Sequence, residues 1–313
     1  MHEISWGLPV IAYLFLAGVG AGAVVVSASV LLRKGGFGAS RFAVARLGAL
    51  IGPAPVLLGT FLIIFELGQP FRAMNLFKLI NLSPMSIGSW LLSVFIVFSL
   101  LYALTFVPPW AGPGDRLAPL RRALAWICIP MGFGVAIYTG VMLGAMPARP
   151  LWNSPILAGL FVLSALSSGV ASIILLGVFF KNSSDDPAVR ADHENSNYML
   201  VTSDALLLAG EMLVVFLFLL FGHLTIGDVR YAMASILPGG QLAYLFWGLV
   251  VIVGLLVPFV IELFQVLPRL LYQREFKTVV ALEVIVPIAI LIGGFALRYT
   301  IVVAGQITAP AAL

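Results

Sequence analysis

Long apolar stretches constrain this chain more than any other feature of its sequence. A transmembrane helix needs about 20 consecutive apolar residues, and eight stretches of that length follow one another between short polar breaks. They run near 8–32, 43–65, 85–107, 123–146, 156–180, 198–222, 241–267 and 279–303. A soluble protein is excluded because only 10% of the residues are charged, whereas soluble domains carry about a quarter.

The same stretches predict the fold class. Strands of a transmembrane barrel are about 10 residues of alternating polarity, but segments such as 91–101 are almost unbroken apolar runs. The first stretch is kept as a span, because no Lys or Arg precedes it and it is longer than the apolar core of a signal peptide. We therefore predict an all-α integral membrane protein, with residues 1–313 forming one membrane domain of eight transmembrane helices. Two four-helix bundles are the expected arrangement, with possible halves at 1–150 and 151–313.

The basic residues predict the orientation of these helices. Of the 17 Lys and Arg residues, twelve fall on one side of the membrane, here called the inner side, and five on the other, the outer side. The inner set is Arg33, Lys34, Arg41, Arg46, Arg116, Arg121, Arg122, Lys181, Arg190, Arg269, Arg274 and Lys277, and the outer set is Arg72, Lys78, Arg149, Arg230 and Arg298. Since basic residues collect in cytoplasmic loops, both termini are expected outside, in a multi-pass protein of the cell's inner (cytoplasmic) membrane. The basic excess thus reflects topology in membrane lipid, and no nucleic-acid partner is expected. The inner segment 181–197 is expected to be a solvated loop.

Cysteine and histidine restrict the metal chemistry of the protein. The single cysteine, Cys128, offers too few thiolates for an iron–sulfur cluster. A membrane haem is typically held by His pairs on facing helices, but His2 and His193 lie outside the predicted spans and only His223 reaches a helix end. No haem or iron–sulfur cluster is therefore expected in this chain. Any redox role requires a diffusible membrane cofactor and a metal centre on another subunit.

Four acidic residues fall inside the predicted spans, where ionisable groups are costly and often functional. Asp204 and Glu211 are seven residues apart, and Glu262 and Glu283 lie near the inner ends of the last two spans. A separation of seven residues is two turns along one face of a helix. We predict that Asp204 and Glu211 transfer protons from the inner side, with Glu262 and Glu283 extending the route. The alternative is that each carboxyl stays protonated or makes a hydrogen bond that packs helices together.

A second polar group falls at the predicted outer ends of the spans. A quinone site needs an apolar slot open to lipid, donors for two ring carbonyls and a titratable group. The sequence offers these residue types in Glu66, Gln69, Arg72, Tyr138, Arg149, Trp152, His223 and Arg298. These residue types fit a quinone site. An ordinary interfacial belt of Trp, Tyr and Arg is the alternative.

Three glycines lie close together inside the first span. Gly18, Gly20 and Gly22 are similar to a phosphate-binding loop only superficially, because no strand precedes them. Close packing of helices through small residues is their predicted role.

Several motifs, in order along the chain, carry a family resemblance. They are Trp6-Gly7-Leu8-Pro9, YLFLAGVGAG at 13–22, Glu66-Leu67-Gly68-Gln69-Pro70, SPMSIGSW at 83–90, Tyr138-Thr139-Gly140, ARPLWN at 148–153, and Leu297-Arg298-Tyr299 through Gly305-Gln306. Together they resemble the NrfD-like family of polysulfide reductase membrane subunits over nearly the whole chain.

This resemblance implies a haem-free, quinone-reactive membrane subunit. Its implied partners are an iron–sulfur electron-transfer subunit and a molybdopterin catalytic subunit on the outer face, with the quinone near that face. The resemblance implies that Tyr138 contacts the quinone, and Trp6 and Tyr13 are further candidates. With the resemblance, the leading hypothesis is a site for menaquinone or ubiquinone, in which Tyr138, Glu66 and His223 bind or exchange protons with the quinone and Arg149 and Arg298 polarise the site. The alternative hypothesis is a proton-coupled secondary transporter, in which the same buried acids couple protons to a solute.

Overall fold

Eight helices long and apolar enough to cross a membrane are present in the structure, a computed structural model. It describes residues 6–33, 39–66, 83–108, 116–179, 187–273 and 279–308, without the side chains of residues 39, 65–66 and 187–190. No β-strand occurs in these described ranges. The prediction of an all-α protein with eight transmembrane helices is therefore confirmed.

The spans are numbered 1 to 8 in chain order. Spans 1, 3, 4 and 5 are the single helices Leu8–Leu32, Pro84–Leu104, Ala118–Gly144 and Ile156–Phe179. Span 2 consists of Ala39–Ile51 and Pro53–Glu66, span 6 is Pro187–Leu224, and span 8 is Val280–Ile307. Span 7 consists of the π-helix Tyr244–Leu256 and the α-helix Val257–Tyr272, and a short helix, Asp228–Met233, precedes it.

Local sequence explains where several spans begin. Spans 1, 3 and 4 each carry a proline in the first two positions, where the missing N–H group would have no partner within the helix. At the start of span 3, the Ser83 hydroxyl also accepts a hydrogen bond from the backbone N–H of Ser86. Such an N-cap satisfies one of the free N–H groups of the first turn.

Span 1 lies at the centre of the protein and contacts spans 2, 4, 5 and 8. A Cβ atom on Gly20 would collide with the carbonyl of Gly52 in span 2, and one on Gly22 would collide with the carbonyl of Ala165 in span 5. The predicted role of Gly20 and Gly22 in close helix packing is therefore confirmed. Spans 1–4 pack on one another, as do spans 5–8, and the two sets also contact each other, mainly where spans 1 and 4 meet span 5.

Span 6 extends beyond the predicted apolar stretch at its inner end. The sequence predicted a solvated loop up to residue 197, but the helix already begins at Pro187. The backbone N–H of Ser40 donates to Asp192 Oδ2 at 2.9 Å, and the Ser40 hydroxyl lies 2.6 Å from that of Ser196. The loop prediction is wrong for this segment because its polar side chains bind the start of span 2 instead of water alone.

Span 7 starts with an unusual helix geometry. The Val257 N–H donates to the carbonyl of Ile252, five residues earlier, at the end of the π-helix. π-helices are rare and often lie at functional sites. The wider turn changes the angular register of the α-helix that follows, and Glu262 of that helix faces the interior with 2% of its surface exposed.

Candidate functional site

A pocket lies between the inner ends of spans 5 to 8. It is lined by Ile174, Asn197, Val201, Glu262, Gln265, Val279, Leu282, Glu283, Val286 and Pro287. The two acids that the sequence placed at the inner ends of spans 7 and 8, Glu262 and Glu283, thus share one cavity. The Asn197 amide donates a hydrogen bond to Glu283 Oε1.

Asp204 lies deeper, on span 6, and is fully buried. Among the described residues, neither of its carboxyl oxygens has a hydrogen-bond partner. Its carboxyl group is within electrostatic range of Glu262 on one side and Glu211 on the other, with Ser167 of span 5 nearby. Burying an ionisable group at this depth without a hydrogen-bond partner costs folding free energy. Residues that are kept despite this cost usually serve a function.

Glu211 and Arg298 continue the series toward the outer side. Glu211 is 3% exposed and Arg298 is fully buried, and each is within electrostatic range of the other. Arg298 Nη1 donates to Ser164 Oγ at 2.9 Å and to the Gly294 carbonyl at 2.8 Å. Its guanidinium also lies over the rings of Phe15, at 5.7 Å, and Phe161, at 5.2 Å.

These groups form a series in which each member is within electrostatic range of the next. The series Glu262, Asp204, Glu211 and Arg298 is here called the acid chain, after its three carboxyl groups. The polar residues of span 6 are regularly spaced, since Asn197, which is not part of the acid chain, Asp204 and Glu211 follow one another every seven residues. Each step is about 10 Å along the axis at 1.5 Å per residue. The predicted positions of Asp204 and Glu211 on one helix face agree with this geometry. Their role in proton transfer stays a prediction.

Arg298 lies deeper than its predicted place at the outer ends. Its partner Ser164 and its neighbour Gly18 are eight and ten residues inside spans 5 and 1, or roughly 12–15 Å from those helix ends. His223, in contrast, is exposed at the outer end of span 6. Arg298 and His223 therefore lie at different depths, although the sequence placed them at one depth. A helix that is buried along most of its length gives no signal in its sequence of how deep a polar residue lies.

Arg149 and Trp152 form an outer clamp with the ends of spans 1 and 8. Arg149 Nη1 donates to the carbonyl of Gln306 at 2.9 Å, and Trp152 Nε1 donates to that of Ile301 at 2.8 Å. The Trp152 ring, 1% exposed, packs on the Trp6 ring at 5.2 Å. Gln306 completes the clamp with two hydrogen bonds to the Trp6 backbone, at 2.8 and 3.1 Å. These donors are thus engaged with backbone carbonyls.

Tyr138 lies in the outer half of span 4 and faces span 3. Its ring occupies the space that a side chain on Gly88 would need, and its hydroxyl donates to Met142 Sδ at 3.4 Å. Tyr13 of span 1, 3% exposed, is within electrostatic range of it. Spans 1, 3 and 4 therefore bring two phenol groups together. The side chain of Glu66, and Gln69 and Arg72, lie outside the described residues.

The sequence does not identify four neutral polar residues of this site: Asn197, Gln265, Ser164 and Ser167. Neutral side chains are common in transmembrane helices and give no charge signal. The seven-residue spacing of Asn197, Asp204 and Glu211 could have identified the first of them.

Comparison with known proteins gives one family. A family model described as "Polysulphide reductase, NrfD" matches residues 1–310. The protein is 31% identical to one of the chains of the polysulfide reductase of Wolinella succinogenes, over 97% of its own length and 95% of that relative. It is 28% identical to "Protein NrfD homolog" of Haemophilus influenzae, over 98% and 96%. A match to one of the subunits of the selenate reductase of Mesobacillus selenatarsenatis, 23% identical, covers 56% of this protein and 48% of that relative.

Proposed function

Because the chain belongs to the NrfD polysulphide reductase family, we propose that it is the haem-free, quinone-reactive membrane subunit of a respiratory oxidoreductase complex. It exchanges electrons between menaquinone or ubiquinone and an external iron–sulfur subunit, which serves a molybdopterin catalytic subunit. Two relatives are named as components of a polysulfide reductase and of a selenate reductase. These names support assembly with other subunits.

The observation that carries this proposal is the course of the acid chain. It starts at the inner pocket with Glu262 and ends at Arg298, whose guanidinium lies over Phe15 of span 1. Phe15 is two residues from Tyr13, the neighbour of Tyr138. The acid chain thus leads from the inner pocket toward the outer half of the spans, in which the two phenols also lie. Such a route suits a subunit that reacts with a quinone, because quinone reduction takes up protons with the electrons and quinol oxidation releases them.

Tyr138 fits a quinone contact. Thioether sulfur is a weak hydrogen-bond acceptor, so the hydroxyl bound to Met142 can turn to a stronger acceptor such as a ring carbonyl. The side chain is half-buried beside lipid-exposed residues of spans 3 and 4, including Ile87 and Val141. A flat apolar ring can approach this surface from the bilayer.

The residues of the acid chain then have distinct roles. Glu262, Asp204 and Glu211 each hold a proton and pass it toward the next group, with water molecules between them as carriers. Arg298 supplies a fixed positive charge beside Glu211 and stabilises that carboxyl when it is ionised. The apolar residues around them exclude bulk water, so that protons enter only at the inner pocket.

Quinone-dependent turnover of the purified complex tests this proposal. Tyr138→Phe removes one hydroxyl and is expected to raise the KM for quinol or lower kcat by about tenfold, the effect of roughly 1.4 kcal/mol. Tyr244→Phe is the matched control, since Tyr244 is also on the outer half but 92% exposed. Unchanged kinetics of the Tyr138 variant would remove this residue from the site.

The transporter hypothesis differs in its partners. A redox subunit is expected to co-purify with an iron–sulfur protein and to turn over quinol, whereas a transporter would be isolated alone and move a solute in the absence of a redox partner.

A further inference from the structure

The inner pocket contains polar groups that the acid chain alone does not explain. Besides Glu262 and Glu283, its lining includes the amides of Asn197 and Gln265. Spans 6, 7 and 8 each contribute at least one of these groups. Four polar side chains converging from three helices are unusual inside a membrane protein, where each must be satisfied.

Glu262 indicates what the pocket holds. Its side chain is 2% exposed, and Oε2 has no hydrogen-bond partner among the described residues. Buried polar groups are nearly always hydrogen-bonded, to protein or to ordered water. In a cavity with polar walls, water is the available partner.

Asn197 fixes the geometry of the other carboxyl. Asn197 and Glu283 are 8% and 9% exposed, and the amide donates to Oε1. The helix that carries Asn197 is itself held in place, since Arg269 donates to Asn195 and Ser40 donates to Asp192. The Glu283 carboxyl is therefore held in one orientation at the wall of the pocket.

We propose that this pocket is a hydrated entrance that collects protons from the inner side, and that Asn197 is the positioning residue that holds the Glu283 carboxyl within reach of Glu262. The proposal rests on the proposed function in one respect: the acid chain is used during quinol turnover. When quinone is reduced with electrons from the iron–sulfur subunit, it takes up protons, and each of them passes from inner water to Glu283, through pocket water to Glu262, and on to Asp204. When quinol is oxidised, the released protons pass along the same groups in the reverse direction. Each carboxyl returns to its starting state once the proton has moved on.

Substitution of Asn197 tests the positioning role in the whole complex reconstituted in liposomes. Asn197→Leu removes the hydrogen bond and keeps a branched side chain with the same number of heavy atoms. We expect kcat for quinol turnover to fall about tenfold with an unchanged KM, a smaller loss than the 10²–10⁴-fold of a lost proton-transferring group. Asn197→Asp is expected to restore most of the rate, because two carboxyls can share one proton in a hydrogen bond.

The sequence offers a matched control for this substitution. Asn153→Leu changes the same residue type at an exposed position beyond span 4, outside the pocket lining, and should leave the rate near that of the unsubstituted complex. A slow Asn197→Leu variant that Asn197→Asp fails to restore would overturn the positioning role. So would an Asn197→Leu variant with the normal rate and normal proton uptake. If the unsubstituted complex had no quinol activity, the proposed function itself would fail.

Labelling of the unsubstituted complex tests the hydrated entrance without any variant. A water-soluble carbodiimide added on the inner side should modify Glu283 and slow turnover, with the modified peptide identified by mass spectrometry. An unmodified Glu283 after prolonged treatment would overturn the entrance. Turnover that requires Na⁺ would also overturn it, because the same oxygen atoms would then bind a metal cation rather than collect protons.

Discussion

The guanidinium of Arg298 occupies the space that a side chain on Gly18 would fill: a Cβ atom at Gly18 would lie 3.0 Å from Arg298 Nη2. Gly20 and Gly22, in contrast, face the backbone of spans 2 and 5. One run of small residues in span 1 therefore has two functions. Two of its glycines bring helices together, and the third gives a buried charge its position at the end of the acid chain.

Gly18→Ala is expected to slow turnover without unfolding the protein. The added methyl group would meet the far end of the Arg298 side chain. That side chain is flexible and can move by a few tenths of an ångström, but its guanidinium then shifts relative to Glu211. We expect a several-fold loss of quinol turnover with little change in thermal stability, measured on the purified complex.

Substitutions at two other glycines serve as controls for this result, one expected to be neutral and one expected to disrupt the fold. Gly159→Ala has no neighbouring atom within 4 Å of the new Cβ and should be neutral. Gly22→Ala would press on the Ala165 carbonyl, and because backbone cannot move aside easily, we expect loss of folded protein. If Gly18→Ala behaved like Gly159→Ala in both assays, the position of the guanidinium would not matter for turnover.

Removal of Arg298 is expected to destabilise the protein unless Glu211 is neutralised with it. Glu211 and Arg298 are within electrostatic range of each other, and a buried charge that loses its opposite charge is left uncompensated, at a cost of about 3 kcal/mol. Arg298→Leu should therefore lower the unfolding temperature clearly, and adding Glu211→Gln should recover part of the loss. The three variants form a double-mutant cycle. Strictly additive effects would show that the two groups are not coupled as charges.

The eight spans could be predicted from the sequence because a bilayer requires long apolar runs and the backbone must satisfy its own hydrogen bonds within them. The relation of Asp204 to Glu211 could be predicted for a similar reason, since helical periodicity places residues seven apart on one face. Both are properties of single helices.

The depth of Arg298 and the contact between Asn197 and Glu283 could not be predicted in this way. Arg298 is placed by contacts with spans 1 and 5, and its depth depends on how span 8 is shifted along its neighbours. The inner extension of span 6 was missed because its polar residues are typical of a loop, whereas Asp192 and Ser196 bind Ser40. Contacts between distant segments decide these features, and one sequence carries little trace of them.

Asp204→Asn is expected to interrupt proton transfer while leaving the fold intact. Asparagine has nearly the same shape but cannot accept and release a proton, and removing a proton-transferring group costs roughly 10²–10⁴-fold. Proton uptake from the inner side, measured in liposomes in the direction of quinone reduction, should fall by about that factor. Asp228→Asn is the control, because Asp228 is exposed in the short outer helix. Normal proton uptake by the Asp204 variant would show that the acid chain is not the route.

Trp152→Phe distinguishes the outer clamp from a quinone contact, the role that the sequence predicted for this residue. Phenylalanine keeps a ring against Trp6 but loses the hydrogen bond to the Ile301 carbonyl, worth about 1 kcal/mol. If Trp152 acts mainly in the clamp, the purified complex should unfold a few degrees lower while the KM for quinol stays unchanged. Trp126→Phe, at a side chain 67% exposed, should change neither quantity. A raised KM at unchanged stability would instead place Trp152 in contact with the quinone, with the clamp contributing little to the stability of the outer ends of spans 1 and 8.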